Sequence, residues 1–285
     1  MNQNILEIKN LTKEFDNFKL DNVSFHLPTG YIMGLVGKNG AGKTTTIKLI
    51  LELLEKDQGV IQVFGQNIIQ HYDLKQDIAV VFDEVFFVED WKISDVEAAI
   101  SPFYINWDTH IFQNYLKQFH LPTQQKIKAL SRGMKMKLML AVALSHKARL
   151  LILDEPTSGL DPVARDELLD ILLHYIEDEQ NSVLFSTHIT SDLDKIADFL
   201  TILDNGNIFF TGYKDELFEK YCIVKGGIDN LNQDIEKYLM GIQKNSTGFS
   251  ALLDVKNMKY MNGHMVIEEA TIDDILIHIN HMEGE

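Results

Sequence analysis

The sequence predicts an α/β fold, and three observations carry that expectation. An extended segment at 31–36 runs directly into GKNGAGKTT at 37–45 and then into a helical pattern. An apolar segment at 150–153 ends in two carboxylates, Asp154 and Glu155. Strand-like and helix-like stretches alternate around both, as they do where helices cover a largely parallel sheet.

Two further extended segments, 5–9 and 20–25, precede the glycine loop and point to an N-terminal antiparallel β subdomain. The helix after the loop is expected from Lys43 to about Leu54, because Ile47, Ile50, Leu51 and Leu54 share one face. A short strand is expected at 60–64. From about 84 to 130 the chain becomes aromatic-rich at helical spacings, with Phe86, Phe87, Trp91, Phe103, Trp107, Phe112, Tyr115 and Phe119, which suggests a helical subdomain over about 84–147. Such aromatics are more often core than contact. The α/β pattern resumes with a helix from Arg132, a helix from Pro162, a strand at 182–187 and two strands around Asn205-Gly206, a dipeptide suited to a type I′ turn. The main domain is therefore expected over 1–220. A small α+β extension over 221–285 ends in a helix that Thr271 and Asp274 would cap and Ile272, Ile275, Leu276 and Ile279 would anchor.

Composition narrows the function classes. Hydrophobic residues make up 45% and charged residues 24%, enough for a sizeable core. A net charge of −16 repels a phosphate backbone, so no nucleic-acid partner is expected. The longest apolar run, 138–144, is far short of a membrane span. The N-terminus lacks the basic and apolar regions of a signal peptide, and the single cysteine, Cys222, has no partner for an internal disulfide, so a cytoplasmic location is expected.

The chemistry lies in the motifs. Gly37, Gly42, Lys43 and Thr44 fit a P-loop: Gly37, Asn39, Gly40, Ala41, Gly42 and Thr45 form the cradle whose backbone N–H groups face phosphate oxygens, Lys43 reaches the β- and γ-phosphates, and the Thr44 hydroxyl meets Mg²⁺. Asp154 is the second candidate Mg²⁺ ligand, through water, and Glu155 the candidate general base. Two carboxylates leaving a strand are commonly only solvated; their position after a P-loop favours the functional reading. ATP and Mg²⁺ are the expected cofactors.

Together with LSRGM at 130–134, these elements resemble the nucleotide-binding domain of ABC transporters, over about residues 6–212. The resemblance implies that Ser131 and Gly133 belong to a signature loop, written LSGGQ in the family, that caps the γ-phosphate held by a second protomer. Ser131 is also a good helix N-cap. Asp161, in SGLD at 158–161, resembles the D-loop aspartate and is equally an N-cap before Pro162. His188 resembles the switch histidine that senses the γ-phosphate, and Phe15 stands where the family stacks a ring on adenine. Arg132, Met134 and Asp83 depart from the pattern: Asp83 stands where a glutamine is usual, and a carboxylate there could approach Mg²⁺ directly.

The resemblance further implies a transmembrane permease subunit, received by the helical subdomain near Phe86, Phe87 and Trp91, a second ATPase protomer, and a place on the inner face of the membrane. VVFD, LSRGM and FSTHITSDLD resemble the export subgroup associated with peptide or antibiotic efflux. The rival readings are a soluble ATP-gated module acting on ribosomes or chromosomes, and a regulatory subunit that binds ATP without hydrolysing it. Acidity and the lack of a heptad run disfavour the first. The presence of both Glu155 and His188 disfavours the second.

Overall fold

The computed structural model describes residues 4–261 and 264–282. β1 (Asn4–Phe15), β2 (Phe18–Pro28) and β3 (Ile32–Val36) lead into α1 (Lys43–Ile50), followed by β4 (Gln58–Val63) and β5 (Gln66–Asn67). An antiparallel sheet of order β2-β1-β4-β5 forms the N-terminal layer. α1 stops earlier than its apolar spacing suggests. Glu52 takes a left-handed backbone (φ 51–58° is the range of several such residues here, 58° for Glu52), and the Leu53 N–H donates to the Lys48 carbonyl at 2.8 Å, closing the helix by a C-terminal turn. Leu51 and Leu54 still pack on the core beyond the helix, so the apolar stripe outlasts the α conformation.

β6 (Ile78–Val81) returns to the main sheet before α2 (Ile93–Ile100), α3 (Thr109–Gln118) and α4 (Arg132–Ala143) build the helical layer. The aromatics Phe86, Phe87 and Trp91 lie in an irregular segment, not a helix. Backbone groups there are engaged by the chain at 125–128: Ile127 N–H donates to the Trp91 carbonyl at 2.9 Å and Lys128 N–H to the Glu89 carbonyl at 3.0 Å. The helix begins only where Asp95 accepts from the Lys92 N–H. Phe112 and Phe119 are core, Trp91, Trp107 and Tyr115 pack against it, and Phe86 and Phe103 are each 72% exposed.

β7 (Leu150–Asp154), α5 (Pro162–Tyr175), β8 (Ser182–Thr187), α6 (Thr190–Ile196), β9 (Phe199–Asp204) and β10 (Asn207–Tyr213) complete a six-stranded sheet of order β10-β9-β3-β8-β7-β6. All neighbours in it are parallel except the β9-β10 hairpin. Every residue of β3, β7 and β8 is buried, as expected of parallel strands covered on both faces. Register aligns Val36 with Thr187 and Asp154 with Ser186, so the glycine loop, the two carboxylates and His188 leave the sheet together at the C-terminal ends of its central strands.

At the β9-β10 turn Asn205 (φ 41°) and Gly206 (φ 77°) both have the positive φ of a type I′ turn. The Gly206 N–H donates to the Ala41 carbonyl at 3.0 Å and its carbonyl accepts from Asp21 N–H at 2.8 Å, tying the glycine loop to β2. A Cβ on Gly206 would fall 1.8 Å from the Lys19 carbonyl oxygen. Gly206→Ala is therefore expected to destabilise the protein by about 2–4 kcal/mol, read as a lower urea midpoint at unchanged slope.

The chain ends with α7 (Lys214–Lys220), β11 (Tyr221–Gly226), α8 (Gln233–Glu236), β12 (Leu239–Lys244), β13 (Phe249–Asp254), β14 (Val266–Glu269) and α9 (Ile272–His281). The last four strands form an antiparallel sheet of order β12-β13-β11-β14. Thr271 and Asp274 make the expected capping box of α9. The alternation of β11 and β13 divides their side chains. Cys222, Val224, Ala251 and Leu253 form a local cluster, whereas Ile223 and Leu252 join Ile272, Ile275 and Ile279 in the cluster that runs through the main domain. The extension is thus packed onto the α/β body, and the Thr190 hydroxyl adds a 2.7 Å hydrogen bond to Asp273. Among the described residues no helix is long and apolar enough to cross a membrane.

Candidate functional site

The glycine loop bends the chain so that α1 points its N-terminus into an open cradle of about 580 Å³, lined by Asn17, Phe18, Asn39, Gly40, Gly42, Lys43, Thr44, Thr45, Glu155 and Asn205. Gly42 is the N-cap of α1 with φ 110°, a conformation that L side chains rarely adopt, and a Cβ there would lie 3.0 Å from the Phe18 ring. The first-turn N–H groups of α1 are left for an anion, and no acidic residue occupies that turn.

Lys43 is 5% exposed. Its ammonium donates to the Gly37 carbonyl at 2.7 Å and the Lys38 carbonyl at 3.3 Å, and lies 3.1 Å from Glu155 Oε1. The other Glu155 oxygen, Oε2, is 2.6 Å from His188 Nδ1. Glu155 is thus suspended between two cationic or proton-bearing groups, on a residue whose own φ is 51°. A left-handed glutamate is uncommon and such strain concentrates at functional sites. It is held by a 3.1 Å hydrogen bond from its N–H to Ser186 Oγ. Oε1 accepts no well-directed hydrogen bond among the described residues.

Asp154 is also 5% exposed, and the Ser186 hydroxyl donates to its Oδ1 at 2.6 Å. The exposed Thr44 hydroxyl and the buried Asp154 carboxylate are hard oxygen donors, which fit Mg²⁺ when phosphate and water supply the remaining ligands. Among the described residues no cluster of three or more His, Cys, Asp or Glu side chains could hold a metal without such help.

Other expected residues lie elsewhere. Phe15 is half-exposed and does not line the cradle; its ring leans on Phe18, 6.2 Å between centroids, and Phe18 is the ring that faces the loop. The reason is the tight β1-β2 turn, which pairs Phe15 with Phe18 across the hairpin. Ser131 caps α4 by accepting from the Met134 N–H at 3.2 Å, and Gly133 sits beside Leu160 and Ala164. Asp161 caps α5, accepting from Val163 and Ala164 N–H at 3.0 Å each; the Ala164 N–H first, then that of Val163, holds its carboxyl below the usual range. Ser131, Gly133 and Asp161 do not line the cradle of their own chain. Nor does Asp83: its carboxylate is paired with Arg132 in a separate groove with Glu84, Phe87 and Lys135, so the structure brings it to the start of α4 and not to Thr44 and Asp154. Behind the site Asp192 is buried, which pushes its carboxyl above the ordinary value.

Asn17, Phe18, Asn205 and Ser186 are site residues that sequence reasoning missed. Their only linear signals are a turn after Phe15, the Asn-Gly hairpin and the serine two positions before His188; β-pairing alone carries them to the cradle.

Comparison with known proteins agrees with this geometry. A family model described as ABC transporter matches residues 20–158. The chain is 28% identical over 226 residues to the ABC transporter ATP-binding protein YtrB of Bacillus subtilis (strain 168), covering 79% of this chain and 77% of that protein. It is 32% identical over 212 residues to the bacitracin transport ATP-binding protein BcrA of Bacillus licheniformis, covering 72% and 68%. A solved ATP-binding subunit of an ABC transporter superposes with a TM-score of 0.66 at 28% identity, covering 75% of this chain and 91% of that one.

Proposed function

Because the chain belongs to the ABC transporter family of ATP-binding subunits, we propose that it powers export of peptide, antibiotic or amphipathic cargo through a separate membrane-spanning subunit, by ATP-driven head-to-tail pairing of two protomers. The family's ATP-binding proteins are ATPases, and this chain is an ATPase of the P-loop fold. The observation that carries the mechanistic reading is Glu155 held between Lys43 and His188 at the mouth of the cradle.

In this reading the loop N–H groups, the α1 N-terminus and Lys43 bind and neutralise the triphosphate. Thr44 and Asp154 would hold Mg²⁺, which would supply further charge neutralisation when bound. Glu155 accepts the proton of the attacking water, and His188 fixes the Glu155 carboxylate and meets the γ-phosphate. Ser131 and Gly133 fail to line their own cradle, which supports their use by a partner's. Asp161 then lies at the seam between the two. ATP would hold the pair together and hydrolysis would release it, a cycle passed to the membrane subunit through the helical layer at the inner face of the membrane. Exposed Phe86 favours that face as the contact.

The export reading rests on the resemblance to BcrA. Cells lacking this chain are expected to become more sensitive to bacitracin-like cyclic peptides, with resistance restored by the native chain and not by Glu155→Gln. Unchanged sensitivity across a panel of such peptides would remove the cargo reading and leave the ATPase intact.

A further inference from the structure

Two of the departures from the family pattern meet in space. Asp83, just beyond the end of β6, and Arg132, the first residue of α4, form an ion pair between the main sheet and the helical layer. They are 49 residues apart in sequence. Arg132 also lies over the loop that follows Glu155: a Cβ on Gly159 would be 3.1 Å from its Cζ, Nε and Nη1 atoms. One guanidinium therefore pairs with the carboxylate at the family's glutamine position and lies beside Gly159 of the 158–161 loop, while its residue follows Ser131 in the chain. The pair is about half-exposed on both sides, at 47% and 46%. Ion pairs so exposed are weak and easily exchanged.

We infer that Asp83 is a positioning residue that holds Arg132 within its own chain until a partner's triphosphate takes the guanidinium over. This rests on the two-protomer reading above. A terminal phosphate offers more charge than a carboxylate and the same bidentate geometry, so it outcompetes Asp83 once it reaches the start of α4. The α4 N-terminus, without an acidic residue in its first turn, adds to the preference. Asp83 thereby sets the ATP concentration at which protomers pair. It acts through Arg132, not as a metal ligand.

The test is epistasis, measured as the Mg-ATP concentration for half-maximal association in a Glu155→Gln parent that pairs without turning over. Asp83→Gln is expected to lower that concentration about three-fold, the size of an exposed ion pair. Arg132→Ala should raise it about ten-fold, as loss of a charge-assisted phosphate contact does. Asp83→Gln added to Arg132→Ala should change nothing further, and Asp83→Glu should behave as the parent. Equal melting midpoints among the variants exclude a folding effect. If Asp83→Gln shifts association as much without Arg132 as with it, or shifts the Mg²⁺ titration instead, Asp83 acts directly and the inference is overturned. Failure of the parent to associate at any Mg-ATP concentration overturns the two-protomer reading, and this inference with it.

Discussion

Glu155→Gln is expected to lower phosphate release by about 10²–10⁴-fold while leaving ATP bound, so that solution mass doubles only when Mg-ATP is added. The carboxylate stands at the cradle mouth in position to take a proton from water, with Lys43 at 3.1 Å on one side and His188 at 2.6 Å on the other. An amide of the same shape keeps a polar contact to His188 but cannot act as a base. It also removes a negative charge that faces the incoming γ-phosphate, so the ATP-bound pair should persist. Light scattering with and without Mg-ATP, alongside phosphate release by the native chain, measures both halves. Hydrolysis in the native chain without association in the variant would remove the two-protomer mechanism. Retained hydrolysis in the variant would assign the base elsewhere.

Lys43→Ala is expected to cost about 10²-fold or more in ATP affinity and to abolish measurable turnover. Its ammonium is buried and held by the Gly37 and Lys38 carbonyls, so its position is set before ATP arrives. Without it the Glu155 carboxylate faces the triphosphate with no ammonium between them. The nucleotide-free protein should lose only about 1–2 kcal/mol, because Glu155 keeps His188 and partial access to solvent. Calorimetric titration with ATP and urea unfolding separate the two effects. Near-native ATP affinity in a folded variant would show that the loop N–H groups suffice, and that Lys43 serves Glu155 alone.

The chain order alone determined much of this protein. Apolar runs at β3, β7 and β8 read as buried strands because parallel strands covered on both faces leave no polar alternation, and the glycine spacing before Lys43 read as a cradle because only that spacing lets successive N–H groups converge. The caps at Ser131, Asp161 and Thr271 were legible because capping is local, a side chain bonding N–H groups two or three residues on. Tertiary structure decided the rest. It turned the Phe86–Trp91 stretch into a loop by giving its carbonyls to 125–128, and it set Phe18 instead of Phe15 against the cradle through hairpin pairing. It also joined Asp83 to Arg132, and Ser186 to Asp154. Those pairings span 49 and 32 residues, and neither leaves a periodic trace, because ion pairs and lateral strand register depend on which elements the core packs side by side.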